Sequence, residues 1–199
     1  MTILTIVGSP SKRSRSSTLL RHAASRLSAR GFAIDEIGLH DVPAEDLITG
    51  NYTGAAAVAL RERVSRAQAV LVSSPVYKAS FSGGLKALFD ILDEKAFDGK
   101  LILPIATGGS PAHLLALEYG LKPVLSALGA RHILAGVYAT DRQVTFDDAG
   151  TVHIEDDIRQ RLEESVDRLA ELVSPPVRVR DTSPGYDIGR LILDARVSF

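Results

Sequence analysis

Apolar positions along this chain switch repeatedly between two spacings. Short unbroken apolar runs, Ile3–Val7, Ala69–Ser73, Leu101–Ala106 and Ile133–Ala139, read as strands covered on both faces. Phe32–Leu39 alternates apolar with polar residues instead, as a half-covered edge strand does. Between these runs the spacing becomes helical. Leu20, Ala23, Ala24 and Leu27 fall at i, i+3, i+4 and i+7 before Gly31, and a second helix is expected around Ala55–Ala67. Leu85, Leu88, Phe89 and Leu92 repeat the stripe after Ser82 and two glycines. Ala112–Leu128 reads as a further helix, and Ile158, Leu162, Val166, Leu169 and Val173 mark the last. Asp41–Gly54 reads as a loop.

Five strand–helix units in this order predict an α/β domain. The expected architecture is a flavodoxin-like three-layer sandwich with a five-stranded parallel sheet of order 2-1-3-4-5. A six-stranded dinucleotide fold would need another strand and a glycine fingerprint. The domain is expected over residues 1–173. From Ser174 the chain changes character: Pro175-Pro176 ends the helix, and residues 174–199 read as a tail, either mobile or packed on another subunit.

Composition narrows the classes of function. Lys and Arg number 23 against 24 Asp and Glu, a net charge of −1 with mixed signs, which argues against a nucleic-acid partner. No apolar run approaches the ~18 residues of a membrane span. The start lacks a basic leader segment, so no signal peptide is expected and a cytoplasmic location is. With no cysteine, disulfides, Cys-ligated zinc, iron–sulfur clusters and thiol catalysis are excluded. His22, His40, His113, His132 and His153 form no close ligand pair, so no metal site is expected. There is no G-x-S-x-G elbow.

The chemistry is expected where open parallel sheets bind ligands, outside the carboxyl ends of the strands. Three loops reach that edge. The first, Ser9–Thr18, carries six hydroxyls with Arg15 among them and runs into a helix, whose start offers free N–H groups and partial positive charge. That is a seat for a phosphate. A helix cap made by Ser16 or Ser17 would use one hydroxyl and leave the rest. The spacing matches neither G-x-x-x-x-G-K-[ST] nor G-x-G-x-x-G. The second loop, Ser73–Gly84, passes through Pro75, Val76, Tyr77 and Lys78, and offers N–H groups and a flat apolar edge to a planar ring. An ordinary loop with an outward Tyr77 and a solvated Lys78 fits the same residues. The third, Thr107, Gly108, Gly109 and Ser110, has two glycines that permit positive φ or close approach to a ring. His113 nearby reads as an acid–base group or as a neutral structural histidine. Asp141-Arg142 reads as a ligand contact or a loop salt bridge.

Together, Gly8-Ser-Pro with Ser14-Arg-Ser-Ser, Pro75-Val-Tyr-Lys-Ala with Ser82-Gly-Gly-Leu-Lys, and Ala106-Thr-Gly-Gly resemble the NAD(P)H-dependent FMN reductases of flavodoxin-like fold. The stretch Ala112–Leu128 resembles, more narrowly, the reductase component of two-component alkanesulfonate monooxygenases. The likeness runs from about Thr2 to Val173, and the tail has no counterpart in it. It implies hydride transfer from NADPH or NADH to FMN, with reduced flavin released to a partner flavin-dependent monooxygenase. Carried over by position, Ser9, Arg15, Ser16 and Ser17 would hold the phosphate. Pro75, Val76, Tyr77 and Lys78, with Thr107, Gly108, Gly109 and Ser110, would frame the ring. The flavin carries the chemistry, so no protein acid or base is assigned.

Tyr119 lies off the apolar stripe of its helix (Leu114, Leu117, Leu121, Val124, Leu125 and Leu128). Pro123, four residues on, cannot donate to the carbonyl of residue 119. A π-bulge or a plain proline kink is expected there. In the resembling reductases an inserted tyrosine at this place marks a π-helix at the subunit interface and flavin that exchanges as a substrate. The resemblance also implies a homotetramer, a dimer of dimers, with these helices facing each other. Leu115, Tyr119 and Tyr138 would add apolar surface. Three other readings share the fold: a flavodoxin-type electron carrier, a quinone, azo or metal-oxyanion reductase with fixed FMN, and a non-enzymatic binding domain.

Overall fold

The computed structural model describes residues 1–174, so the tail expected over 174–199 lies, apart from Ser174, outside the described residues. The chain alternates strands and helices in the order β1 (Thr2–Val7), α1 (Arg15–Ala29), β2 (Ala33–Gly38), α2 (Ala44–Thr49), α3 (Ala55–Arg66), β3 (Ala69–Tyr77), β4 (Ser80–Phe81), α4 (Gly83–Asp90) and β5 (Leu101–Gly108). A π-helical turn over Ala116–Leu121 then runs into α5 (Lys122–Ala127). The chain continues through β6 (His132–Ile133), β7 (Val137–Thr140), β8 (Val144–Phe146), β9 (Val152–Ile154) and α6 (Asp156–Val173).

The main sheet has the order β2-β1-β3-β5-β6, with β7 also beside β5 and β4 folded back on β3. Setting aside the two-residue β4 and counting β6 and β7 as one interrupted strand, this is the expected 2-1-3-4-5. All pairings are parallel except β3 with β4. Alternate side chains of a strand point to opposite faces. Thus Leu4, Ile6, Val70, Val72 and Ile102 pack toward Leu60, Val64, Leu85, Leu88 and Leu125 of the α3–α4–α5 layer. Ile3, Val7, Leu71, Leu103 and Ile105 pack toward Leu19, Leu20 and Leu27 of α1 and Leu162, Val166 and Leu169 of α6. Both faces are covered, which is why these strands read as unbroken apolar runs.

The last strand departs from the expected Ile133–Ala139. Ile102 lies opposite Ile133, but Ile105 lies opposite Val137, so two residues of β5 face three of the edge strand. This is a bulge, and it falls at Pro104, which has no N–H to give a neighbouring strand. Gly136 fits there because an added Cβ would sit 2.6 Å from Leu117 Cδ2 and 3.2 Å from the Pro104 carbonyl oxygen. Two further elements depart from expectation. The loop Asp41–Gly54 contains α2, closed by Gly50 at φ 63°. The segment after the sheet folds back as the antiparallel pair β8–β9.

Helices α1 and α6 are fastened by ions. Arg26 grips Asp167 with Nε at 2.7 Å and NH2 at 2.8 Å, and reaches Glu163 at 3.1 Å. Arg30 adds a 2.9 Å contact to Asp167, and His22 lies 3.2 Å from Glu163. These groups are partly exposed and contribute modestly.

Candidate functional site

Strands β1, β3 and β5 are neighbours, so the loops at their carboxyl ends meet over the point where strand order reverses. One cleft lies there, lined by Ser9, Ser11, Arg13, Ser14 and Arg15 from the first loop, Pro75, Val76 and Tyr77 from the second, and Thr107, Gly108, Gly109 and Asp141. Of the residues expected from sequence, Ser9, Arg15, Pro75–Tyr77 and Thr107–Gly109 line this cleft. Ser16, Ser17, Lys78 and Ser110 do not.

The first loop turns sharply at Gly8, whose N–H bonds to the Ser73 carbonyl at 2.8 Å. A Cβ at residue 8 would lie 2.5 Å from that same oxygen, so glycine is dictated by the closeness of the chain leaving β1 to the neighbouring parallel strand β3. Ser9 Oγ accepts the Ser11 N–H at 3.2 Å. The cap of α1 is Ser14, not Ser16 or Ser17: its extended backbone starts the helix, and its Oγ accepts the Ser17 N–H at 3.4 Å. Ser14 Oγ also lies 3.0 Å from Ser16 Oγ. Ser17 Oγ is buried without any hydrogen-bond partner. The loop therefore leaves hydroxyl capacity unused beside free helix N–H groups, which fits a phosphate.

Both arginines of this loop are held by the β8–β9 end of the molecule. Arg15 Nε donates to the Val144 carbonyl at 2.8 Å, while its NH1 lies 3.7 Å from Asp141 Oδ1. Arg13 stacks 4.7 Å over the Phe146 ring and donates to the Asp147 carbonyl at 3.1 Å. Arg13 and Ser11 were not singled out from sequence. Only the serine richness around them was visible, and Arg13 acquires its place from a hairpin more than a hundred residues away.

The second loop is shorter than expected because β3 runs on through Pro75 to Tyr77 and pairs with β4. Its tip is Lys78-Ala79, at φ 49° and 64°, the two-residue turn that suits the twist of paired strands. Lys78 is exposed at that tip and away from the cleft wall. Ser82 caps α4, accepting the Leu85 N–H at 3.2 Å, and its hydroxyl donates to the Gly8 carbonyl. Ser74 Oγ accepts the Ser82 N–H at 2.9 Å. Gly84 lies close to Leu39, whose Cδ1 would have to move from a Cβ placed 2.6 Å away.

In the third loop neither glycine takes positive φ, a correction to one of the two reasons the sequence offered, and it is Gly108 that serves close approach. A Cβ at Gly108 would lie 3.0 Å from His113 Nδ1, 3.0 Å from Tyr138 Oη and 3.1 Å from Val76 Cβ. Tyr138 Oη donates to the Ser110 carbonyl at 2.6 Å, and the ring is buried rather than surface-forming as expected. Burial, with Asp141 nearby, pushes its hydroxyl above the usual phenol range. His113 Nδ1 is buried without a hydrogen-bond partner, close against Gly108. Asp141-Arg142 resolves as a salt bridge from Asp141 to Arg15 at the cleft wall.

Beside the second loop lies the expected irregular helix. Residues 116–121 form a π-helix in which the Lys122 N–H reaches back five residues to the Leu117 carbonyl. Leu117, Leu121 and Leu125 point into the core, while Leu114, Leu115 and Tyr119 are exposed, Tyr119 by 78%. Leu114 thus leaves the stripe assigned to it. The π-helix packs on β4: a Cβ at Gly120 would lie 3.5 Å from Ser80 Oγ and 3.6 Å from Phe81.

Known proteins resemble this chain in sequence and in fold. Residues 1–145 match the family described as NADPH-dependent FMN reductase. The chain is 43% identical to an FMN reductase (NADPH) of Pseudomonas putida over 194 residues, covering 96% of this chain and 97% of that protein. It is 46% identical to the FMN reductase (NADPH) of Escherichia coli over 144 residues, 72% of this chain and 75% of the relative. Among solved structures, an NADH:FMN oxidoreductase in its apo form superposes with a TM-score of 0.77 at 37% identity, covering 88% of this chain and 91% of the other. A flavodoxin of Streptococcus pneumoniae, at 15% identity and a TM-score of 0.55, shares the fold. The chain belongs to the NADPH-dependent FMN reductase family, as an oxidoreductase of flavodoxin-like architecture that uses FMN and a nicotinamide nucleotide.

Proposed function

We propose that this reductase treats FMN as a substrate that enters and leaves, and that it supplies reduced flavin to a partner monooxygenase in organosulfonate utilisation. The observation that carries the reading is the π-helix at 116–121, packed on the ring-side hairpin and presenting Tyr119 to solvent. A further support is the 31% identity, over 145 residues, to a Pseudomonas putida protein named NADH-dependent FMN reductase SfnF, covering 69% of this chain and 76% of the relative.

In this reading Ser9 and Arg15 meet the flavin phosphate from the cleft wall, with Ser16 and Ser17 behind them in the first turn of α1. Pro75–Tyr77 and Thr107–Gly109 frame the ring, with Lys78 and Ser110 flanking them outside the cleft wall. When bound, FMN supplies the redox chemistry by accepting two electrons from NADPH or NADH. The chain's own part is to seat the phosphate, present backbone N–H groups and a flat apolar wall to the ring, and limit water on one side. The working unit is residues 1–173, in a cytoplasmic homotetramer with the Tyr119 helices apposed.

The test is NADPH oxidation by purified protein at rising FMN, with the visible spectrum recorded beforehand. A colourless protein whose rate saturates with added FMN supports the reading. A yellow protein that ignores added FMN and needs a quinone, dye or metal acceptor overturns it in favour of fixed flavin. Deleting Tyr119 is expected to leave FMN bound through purification; a deletion variant that stays colourless and exchanges FMN freely refutes the role given to that residue.

A further inference from the structure

Asp141 is the one acidic residue among those lining a cleft otherwise furnished for an anion. It stands opposite Arg15, with Oδ1 3.7 Å from the guanidinium, and the two side chains are 47% and 39% exposed. A carboxylate in that position is delivered by a fixed turn. The Asp141 N–H bonds to the Gly108 carbonyl at 3.0 Å. Gln143 closes the turn, its N–H bonding to the Thr140 carbonyl at 3.0 Å and its Oε1 accepting from both the N–H and the hydroxyl of Thr140. In the hairpin that follows, Asp147 is engaged elsewhere, its carboxylate accepting the Thr151 N–H at 2.6 Å. Asp141 Oδ2 also comes within 3.6 Å of where a Cβ of Gly109 would stand, so the carboxylate faces the third loop as well as Arg15.

From this placement we infer that Asp141 weakens the hold on the phosphate of FMN, competing with it for Arg15 and repelling it. This deepens the proposed function and rests on the phosphate being seated in the first loop. Arg15 is tethered through Nε to the Val144 carbonyl, so it cannot leave Asp141 by swinging far. The same guanidinium must therefore serve two anions when a phosphate arrives. Like charges within a few ångströms of a shared cation oppose one another even near the surface. Differences of this kind are expressed chiefly in the rate of release. A reductase that hands its flavin on gains from a carboxylate at this position.

The experiment titrates wild type, Asp141→Asn and Asp141→Ser with FMN and, separately, with riboflavin, which lacks the phosphate, following flavin fluorescence at low and high salt. Both variants should bind FMN about tenfold more tightly at low salt, with the gain shrinking as salt screens the charges. Riboflavin affinity should stay within about twofold, because only the phosphate meets the carboxylate. Unchanged or weaker FMN binding overturns the inference and makes Asp141 an orienting partner of Arg15. An equal gain for riboflavin overturns it too, since the effect would not pass through the phosphate. If wild type binds FMN no better than riboflavin, the phosphate seat itself is wrong. If FMN turnover is intact while Asp141→Asn changes nothing, the proposed function stands and this inference alone falls.

Discussion

Two hydroxyl-rich loops meet at one sheet edge, and they spend their hydroxyls differently. In the second loop, Ser74 and Ser82 are used within the protein: Ser74 accepts from Ser82, and Ser82 caps α4 while donating to Gly8. In the first, Ser14 caps α1 but Ser17 Oγ has no partner at all. The other hydroxyls of the first loop also bond within the protein, so the difference between the loops rests on Ser17. A buried polar group without a partner carries a free-energy cost unless something satisfies it. Counting serines cannot separate these roles; asking where each hydroxyl's bond goes does.

The largest disruption should come from the joint between the loops. Gly8→Ala places a methyl 2.5 Å from a backbone oxygen of β3, and should cost about 3 kcal/mol of stability by overpacking, read from the denaturant midpoint. FMN binding should fall with it, because both loops are displaced. Ser82→Ala should cost about 1–2 kcal/mol, since the Leu85 N–H loses its cap and the Gly8 carbonyl its donor. Ser17→Ala should change stability by less than about 0.5 kcal/mol, as no bond of that hydroxyl is lost, yet weaken FMN roughly fivefold. A Ser17→Ala variant that unfolds easily and binds FMN normally would reverse the contrast between the loops.

The smallest effect belongs to the far end of α1. Hydrogen bonds from Arg26, with the charges of Arg26 and Arg30, hold the Asp167 carboxyl below its ordinary range. Its stabilisation is complete above the ordinary carboxylate value, about pH 4, and is lost as pH falls through the lower folded value. Asp167→Asn should therefore lower the neutral plateau of a stability–pH profile slightly, leave the acid end nearly unchanged, and so flatten the acid limb. The group is exposed enough that solvent screening keeps the effect small.

Much of this was legible in the sequence. Apolar runs and helical stripes located the five strand–helix units because both sheet faces are covered. Pro123 announced a break in the helix ladder at Tyr119, because its missing N–H leaves that carbonyl without a donor, and of the two outcomes open in the sequence the π-helix is the one formed. What stayed hidden depended on partners distant in sequence. Lys78-Ala79 makes a hairpin turn without the glycine or asparagine that usually signals one. Gly8, Gly108 and Gly136 are all small for clearance against another element, so the residue was visible and its reason was not. The β8–β9 pair, which brings Phe146 to Arg13, consists of three-residue strands too short for periodicity to register.

The bulge at Pro104 and Gly136 has a further consequence, for how copies of this molecule avoid one another. An open sheet edge is a row of unpaired donors and acceptors on which a foreign strand can grow. Among the described residues that row is cut into pieces of two and four residues, out of step by one position. No straight template remains along it, so repairing the register would be expected to make the protein more prone to aggregate, however little it changed the cleft.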